Sequence, residues 1–160
     1  MFVIFRAITY ATLFVGFLLI YLPTRLLSWS GIVRPTALGA SQIVGMIIGT
    51  TGALVALCCI VTFARIGKGT PAPFDPPRRL VIQGPYRFVR NPMYIGAGVA
   101  LAGAALFYES LPLLAYGALF IVACHLFVVL YEEPALRRSF GLGYEAYCHR
   151  VWRWWPNVHS

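Results

Sequence analysis

The sequence predicts an all-α integral membrane protein with about four transmembrane helices, a C-terminal helical hairpin and an amphipathic tail that lies on the membrane surface. Hydrophobic residues make up 59% of the chain and charged residues only 11%, whereas about 25% of a soluble domain is charged. Four long stretches also lack charged side chains, and most of the basic residues fall on one side of them. Such a chain cannot cover a water-facing surface, so a bilayer is its expected solvent.

The four uncharged stretches are residues 7–24, 36–64, 91–108 and 110–131, which contain 18, 29, 18 and 22 residues. A spanning helix needs roughly 20 apolar residues, within about 17 to 25. The last two stretches are so close together that they predict a tight antiparallel hairpin. No small-x-small cleavage signature closely follows the first stretch, so we interpret it as a retained helix and not as a signal peptide.

The basic residues predict the orientation. Eleven of the thirteen lie before the first stretch, between the second and third, or after the fourth; only Arg25 and Arg34 lie on the other side. The positive-inside rule therefore places both termini in the cytoplasm, and we expect a bacterial inner membrane. The net charge of +8 is therefore explained by basic residues that set the membrane topology and contact anionic lipid headgroups. We expect no nucleic-acid partner.

The loop after the second stretch is rich in proline and is expected to be stiff and extended. We divide the single domain into N-terminal transmembrane helices, residues 1–64, and a C-terminal region, residues 65–160, that contains this loop, the hairpin and the tail. In the second stretch, Gly45 and Gly49 form a GxxxG step that allows close helix packing. The four cysteines form no CxxC pair, so we interpret them as small packing residues and expect neither a disulfide nor a metal site.

The tail carries a helical pattern. Phe140, Tyr144, Tyr147 and Val151 recur at intervals of four, three and four residues, which places them on one face of a helix that we expect to begin after Gly143. The three tryptophans that follow alternate with arginine and suit the lipid headgroup region. We therefore expect the tail to fold back onto the bilayer surface.

Two polar clusters flank the predicted hairpin, the stretches "GPYRFVRNPMYIG" and "YEEPALRRSFG". A hairpin brings both clusters to the same face, so we expect Glu132 and Glu133 to meet Arg87 and Arg90. A structural ion pair is one interpretation. Two adjacent glutamates exceed what one ion pair needs, which favours a site for a charged ligand. Asn91 precedes a proline and suits an N-cap, a ligand contact, or both.

These motifs, together with "GYEAYCHRVWRWWP", resemble the membrane methyltransferase superfamily that contains isoprenylcysteine carboxyl methyltransferases and phosphatidylethanolamine N-methyltransferases. The resemblance spans residues 80 to 156. It implies that the cofactor is S-adenosylmethionine, bound on the cytoplasmic side. Arginines would bind its carboxylate, and glutamates would accept hydrogen bonds from its amino and hydroxyl groups. Aromatic rings would contact its sulfonium. The cofactor-binding candidates are Gly84, Pro85, Tyr86, Arg87, Asn91, Pro92, Tyr94, Gly96, Gly98, Glu132, Tyr144 and Tyr147. The packing of helices is an alternative explanation for Gly96 and Gly98.

Arg90, Glu133 and His125 are the catalytic candidates. His125 lies seven residues before Glu132 and is expected on the same helix face, where it would act as a base, touch the substrate, or bond structurally to a neighbouring helix. A membrane site favours a lipophilic acceptor; "NPMY" with "YEEP" resembles the phospholipid enzymes, and the tail resembles the prenylcysteine enzymes. The alternatives are an NADPH-dependent membrane reductase of the sterol reductase type, which has similar C-terminal helices, and a non-enzymatic scaffold.

Overall fold

The computed structural model describes residues 16–67 and 79–156, and every regular element in those ranges is helical. A π-helical segment, Gly16–Tyr21, leads into α1. The α-helices are α1 (Leu22–Trp29), α2 (Ala40–Ile66), α3 (Pro92–Phe107), α4 (Leu111–Phe127), α5 (Glu133–Phe140) and α6 (Leu142–Arg150). A short 3₁₀ helix, Gly84–Arg87, precedes α3, and a π-helical segment, Val128–Glu132, joins α4 to α5. The all-helical prediction is confirmed for the described residues.

Within residues 16–67 and 79–156, two continuous helices are long and apolar enough to cross a membrane, Ala40–Phe63 and Leu111–Phe140. Helix α3 is also apolar but has only 16 residues, or about 24 Å at 1.5 Å per residue, which is less than a bilayer core of about 30 Å. Residues 7–15 of the first predicted span lie outside the described residues. The number of four spans and the orientation of the termini therefore stay predictions.

Helices α2 and α3 touch backbone to backbone. A Cβ atom placed on Gly45 would lie 2.6 Å from the backbone nitrogen of Phe107, and one on Gly96 would lie 2.8 Å from the backbone nitrogen of Ala56. Gly103 lies directly against Gly49. The predicted role of the GxxxG step in close packing is confirmed, and its partner is α3.

The predicted hairpin is present, and its turn occupies only the residues between α3 and α4. Ser110 caps α4 by accepting a hydrogen bond from the amide of Leu113 at 3.2 Å. Glu109 accepts hydrogen bonds from the Ser41 hydroxyl at 2.5 Å and from the Gln42 amide at 3.2 Å. These two hydrogen bonds hold the pKa of Glu109 below its ordinary value. The turn is thereby fastened to the beginning of α2.

The tail helix α6 presents the predicted face. Tyr144, Tyr147 and Val151 form a buried cluster against which Phe140 packs. The predicted start of this helix after Gly143 is wrong. Helix α6 begins at Leu142 because the break in the chain comes earlier, at Gly141, whose φ of +50° suits glycine.

Candidate functional site

Glu133 is the centre of an ion network at the end of the molecule opposite the hairpin turn. Its carboxylate accepts two hydrogen bonds from Arg153, at 2.7 Å from Nε and 2.9 Å from an Nη atom. It also pairs with Arg90 at 3.2 Å. Glu133 is only 6% exposed, and a charge so deeply buried needs such partners. The predicted meeting of the hairpin's arginine and glutamate is thus present for Arg90 and Glu133.

Arg90 joins three parts of the chain. Its backbone amide donates to the carbonyl of Trp152 at 2.9 Å, and its guanidinium donates to the sulfur of Cys148 at 2.7 Å and forms the ion pair with Glu133. Its Nε–H is buried and has no hydrogen-bond partner among the described residues. The guanidinium therefore has more donor capacity than the surrounding protein uses.

Glu132 makes a different kind of contact from its neighbour. One of its oxygens accepts a hydrogen bond from the Tyr94 hydroxyl at 3.1 Å. No arginine or lysine of the described residues pairs with it. The two adjacent carboxylates therefore differ in their partners. Glu133 is neutralised by two arginines, whereas the oxygens of Glu132 can accept further hydrogen bonds. Tyr94 itself lies in a buried cluster between α3 and α4.

The chain around the two glutamates has an unusual local geometry. The π-helical segment Val128–Glu132 interrupts the long helix immediately before Glu133. Such wide turns are rare and frequently occur at functional sites. The helix does not end at the last apolar residue, as the sequence suggested, but continues to Phe140 and carries both carboxylates on a helical support.

Asn91 binds the tail instead of capping α3. Its side chain makes no cap hydrogen bond. Its amide donates to the carbonyl of Arg153 at 3.3 Å, and the residue is buried. Asn91 does occupy the N-cap position, as predicted, but its side-chain oxygen makes no capping hydrogen bond to the first turn of α3. Pro92, buried in the first turn of α3, suits that position because it has no amide hydrogen to satisfy.

The "GPY" segment is a turn against α2 and α6. Gly84 has a φ of +60°, and a Cβ there would lie 3.2 Å from the Thr62 hydroxyl. Pro85 opens the 3₁₀ helix, and Tyr86 is buried beside Phe63 with a ring separation of 6.4 Å. The Tyr147 hydroxyl donates to the Tyr86 carbonyl at 2.6 Å. The segment thereby connects the tail to the rest of the protein.

Buried phenols line this end of the molecule. Burial raises the pKa of Tyr86, Tyr144 and Tyr147 above that of a free tyrosine. All three therefore stay protonated at physiological pH. Tyr147 bonds to the Tyr86 carbonyl and Tyr94 bonds to Glu132, and the role of these rings toward a cofactor stays a prediction.

Three predicted cofactor residues lie apart from the network. Arg87 is exposed, and its guanidinium carbon is 5.0 Å from the centre of the Phe88 ring. Gly96 lies in the interface with α2, and a Cβ on Gly98 would collide with Ile121 of α4. Helix packing alone explains both glycines.

His125 contacts the tail. The indole N–H of Trp154 donates to its Nδ1 at 3.1 Å, and the two ring centres are 5.9 Å apart. His125 is exposed, whereas Glu132 is half-buried and bonded to Tyr94. Because of the π-helical segment between them, the spacing of seven residues does not place them on one regular α-helical face. The structure gives His125 a partner on the tail and shows no contact with Glu132.

Sequence reasoning missed Arg153, Cys148 and Trp154 as members of this site. Arg153 and Trp154 were assigned to the lipid surface because arginine and tryptophan in a tail are typical of headgroup contacts. Glu133 takes its second cation, Arg153, from the tail. Nothing in local spacing showed that the tail would supply it.

Comparison with known protein families gave one match. The sequence model of the family described as Phospholipid methyltransferase matches residues 40–143. This range includes α2, the hairpin and both glutamates, and ends just before Tyr144. Searches among curated proteins and among solved structures each gave no match. The match covers well over half of the 160 residues, and the chain therefore belongs to the phospholipid methyltransferase family of membrane methyltransferases.

Proposed function

We propose that the protein transfers a methyl group from S-adenosylmethionine to a lipophilic, membrane-resident acceptor at the cytoplasmic membrane face. The observation that carries the proposal is Glu132, a half-buried carboxylate bonded to the Tyr94 hydroxyl at 3.1 Å. It lies next to an ion network that already satisfies Glu133. The family match supports methyl transfer.

The donor and acceptor groups suit this cofactor. Its amino group and ribose hydroxyls need acceptors, which Glu132 provides. Its carboxylate needs donors, which are available at Arg90 and at the first amides of α3, since no side chain caps that helix. Its sulfonium is a cation that the faces of Tyr86, Tyr94 and Tyr144 tolerate. When bound, the cofactor supplies an electrophilic methyl group.

The protein's own residues divide the remaining work. Glu133 positions Arg90 and fastens Arg153 of the tail, so we assign it a positioning role and not direct catalysis. Arg90 and Glu132 contact the cofactor. Tyr147, Asn91 and the "GPY" turn hold the tail in place. Gly96 and Gly98 are left out of the proposed set because neighbouring helices occupy the space beside them.

An in-line methyl transfer requires that the acceptor atom, the methyl carbon and the sulfur be aligned and that water be excluded. The tail crosses the beginning of α3 through the bonds to Arg90 and Asn91, and we expect it to shield this region from water. The acceptor reaches it from the bilayer. A phospholipid amine and a prenylcysteine-type carboxylate are both lipophilic acceptors; the family match favours the phospholipid.

Calorimetric titration of detergent-purified protein tests the cofactor. We expect heat with S-adenosylmethionine and S-adenosylhomocysteine and none with NADPH. Glu132→Gln is expected to weaken binding about tenfold to a hundredfold, the value of a hydrogen bond to a charged group. Glu145→Gln is the matched control, because Glu145 is half exposed and pairs only loosely with Arg137 at 3.6 Å. Heat with NADPH alone would favour the reductase instead.

A further inference from the structure

The ring nitrogens of His125 are not equivalent. The lone pair of Nδ1 accepts the indole N–H of Trp154. A neutral imidazole has one N–H and one acceptor nitrogen, so the proton lies on Nε2. In this arrangement the ring is a hydrogen-bond donor, and its only basic lone pair is already engaged. The predicted role of His125 as a base therefore has no support in the structure.

The Nε2–H has no acceptor among the described residues. Its neighbours on α4 are apolar: Val122 and Leu126 are 55% and 51% exposed. In a membrane protein such a face meets acyl chains, where an unpaired N–H is costly. An acceptor from the lipid itself is the available solution.

His125 is also close to the proposed reaction site. Trp154 packs against the buried cluster that contains Tyr94, whose hydroxyl bonds to Glu132. Seven residues of helix separate His125 from Glu132, which is about 10 Å along the axis at 1.5 Å per residue. In a phosphatidylethanolamine the phosphate oxygens lie closer than this to the amine, and the ester carbonyl oxygens lie farther along the molecule, nearer to this separation.

We propose that His125, oriented by Trp154, donates a hydrogen bond through Nε2 to an acceptor oxygen of a lipid headgroup. The lipid is thereby held on α4 with its polar end toward Glu132. A phosphate oxygen and an ester carbonyl oxygen have the chemistry required. The inference rests on the proposed function only in taking this lipid as the methyl acceptor.

Two substitutions separate a hydrogen bond from simple packing. His125→Leu removes both polar atoms. His125→Gln keeps them, because its amide oxygen can accept from Trp154 and its amide nitrogen can donate. Lipid affinity is measured by native mass spectrometry of the delipidated full-length protein without cofactor. The probes are an ester-linked phosphatidylethanolamine, its ether-linked analogue and a diacylglycerol.

We expect His125→Leu to bind phosphatidylethanolamine about tenfold more weakly, as the loss of one strong hydrogen bond in a membrane predicts, and His125→Gln to stay within about twofold of the wild type. Weak binding of the diacylglycerol assigns the contact to phosphate; weak binding of the ether lipid assigns it to the ester carbonyl. Wild-type affinity in His125→Leu overturns the proposal, and so does equal weakening in both variants.

These outcomes are independent of methyl transfer. If the calorimetric titration shows no binding of S-adenosylmethionine but His125→Leu still loses lipid, the proposed activity fails and the lipid site stands. If cofactor binding is normal and lipid affinity does not change, only the lipid site fails. Comparable thermal midpoints of the two variants confirm that both are folded.

Discussion

At the scale of the residue, the adjacent Glu132 and Glu133 have different surroundings. Glu133 is enclosed by Arg90 and Arg153, whereas Glu132 has a tyrosine hydroxyl as its partner. Successive residues of a helix point about 100° apart, since a turn has 3.6 residues. One side chain therefore faces the tail and the other faces α3. Glu133 therefore stabilises the fold, whereas the carboxylate of Glu132 is available to bind a ligand.

Glu133→Gln is expected to destabilise the protein by about 2 kcal/mol, because it leaves two arginines beside a neutral amide. We reduce the value usual for a fully buried pair because the Arg153 side chain is 31% exposed. Glu132→Gln is expected to change stability by less than about 1 kcal/mol. Thermal unfolding in detergent measures both, and equal losses in the two variants would contradict the division of roles.

The residues of the site were only partly predictable. Paired acid and base at the two ends of a hairpin follow from chain connectivity, so Arg90 and Glu133 were found together. Arg87 lies one helical turn from Arg90 and has the same chemistry, yet it points to solvent over Phe88. The sequence alone cannot show which of these two arginines is buried in the ion network and which is exposed. Arg153 was missed because its contact depends on how the tail returns to the hairpin.

At the scale of the element, glycine decides which helices approach closely. The α2–α3 interface is made of backbone, with Gly45, Gly49 and Gly52 facing Gly96 and Gly103. Without side chains between them, neither helix can adjust by changing a rotamer. Added volume at this interface must separate the helices.

Gly103→Ala is therefore expected to cost about 2 kcal/mol or more, as overpacking in a tight core does. Gly117→Ala is the matched control, because its Cβ would lie 3.5 Å from Leu101, an ordinary contact. The control is expected within about 1 kcal/mol of the wild type, helped by the better helix propensity of alanine. Unfolding in mixed detergent measures both; equal destabilisation would show that α2 and α3 are less tightly joined than described.

The hairpin turn is expected to make the stability of the folded protein depend on pH. Hydrogen bonds from Ser41 and Gln42 lower the pKa of Glu109 in the folded protein. Its stabilising contribution is complete above the unfolded pKa of about 4.3 and is lost as pH falls through the lower folded value. The thermal midpoint of the wild type should exceed that of Glu109→Gln at pH 6, and the difference should shrink toward pH 3. A difference that is constant with pH would exclude this contribution.

At the scale of the whole molecule, the sequence predicted the helical class, the hairpin and the amphipathic face of the tail. These follow from hydropathy and from the period of the apolar residues, which are local properties. It did not predict that the long helix would continue through a π-helical segment to Phe140. Glu133, on this continuation, forms ion pairs with Arg90 and Arg153, which are distant in the chain, so no local pattern in the sequence predicts these contacts.

The distribution of basic residues predicts which end of the molecule faces the cytoplasm. Glu109 lies at one end and Glu133 at the other. With the native cysteines replaced by alanine, we expect Ser139→Cys, on α5, to react with an impermeant maleimide from the cytoplasmic side. Ser30→Cys, next to α1, should react from the opposite side; both serines are exposed. Labelling of both from the same side would contradict the orientation given by the positive-inside rule.

The backbone contact between α2 and α3 also limits how the protein can move. Because the two helices are in contact through their backbones, sliding one along the other would make main-chain atoms collide. We therefore expect α2 and α3 to move as one rigid unit. If the protein binds a lipid as proposed, we expect the movement that admits it where α4 meets the tail through Trp154 and His125. Substrate entry and product exit should therefore depend on the flexing of α4 against a fixed α2–α3 pair.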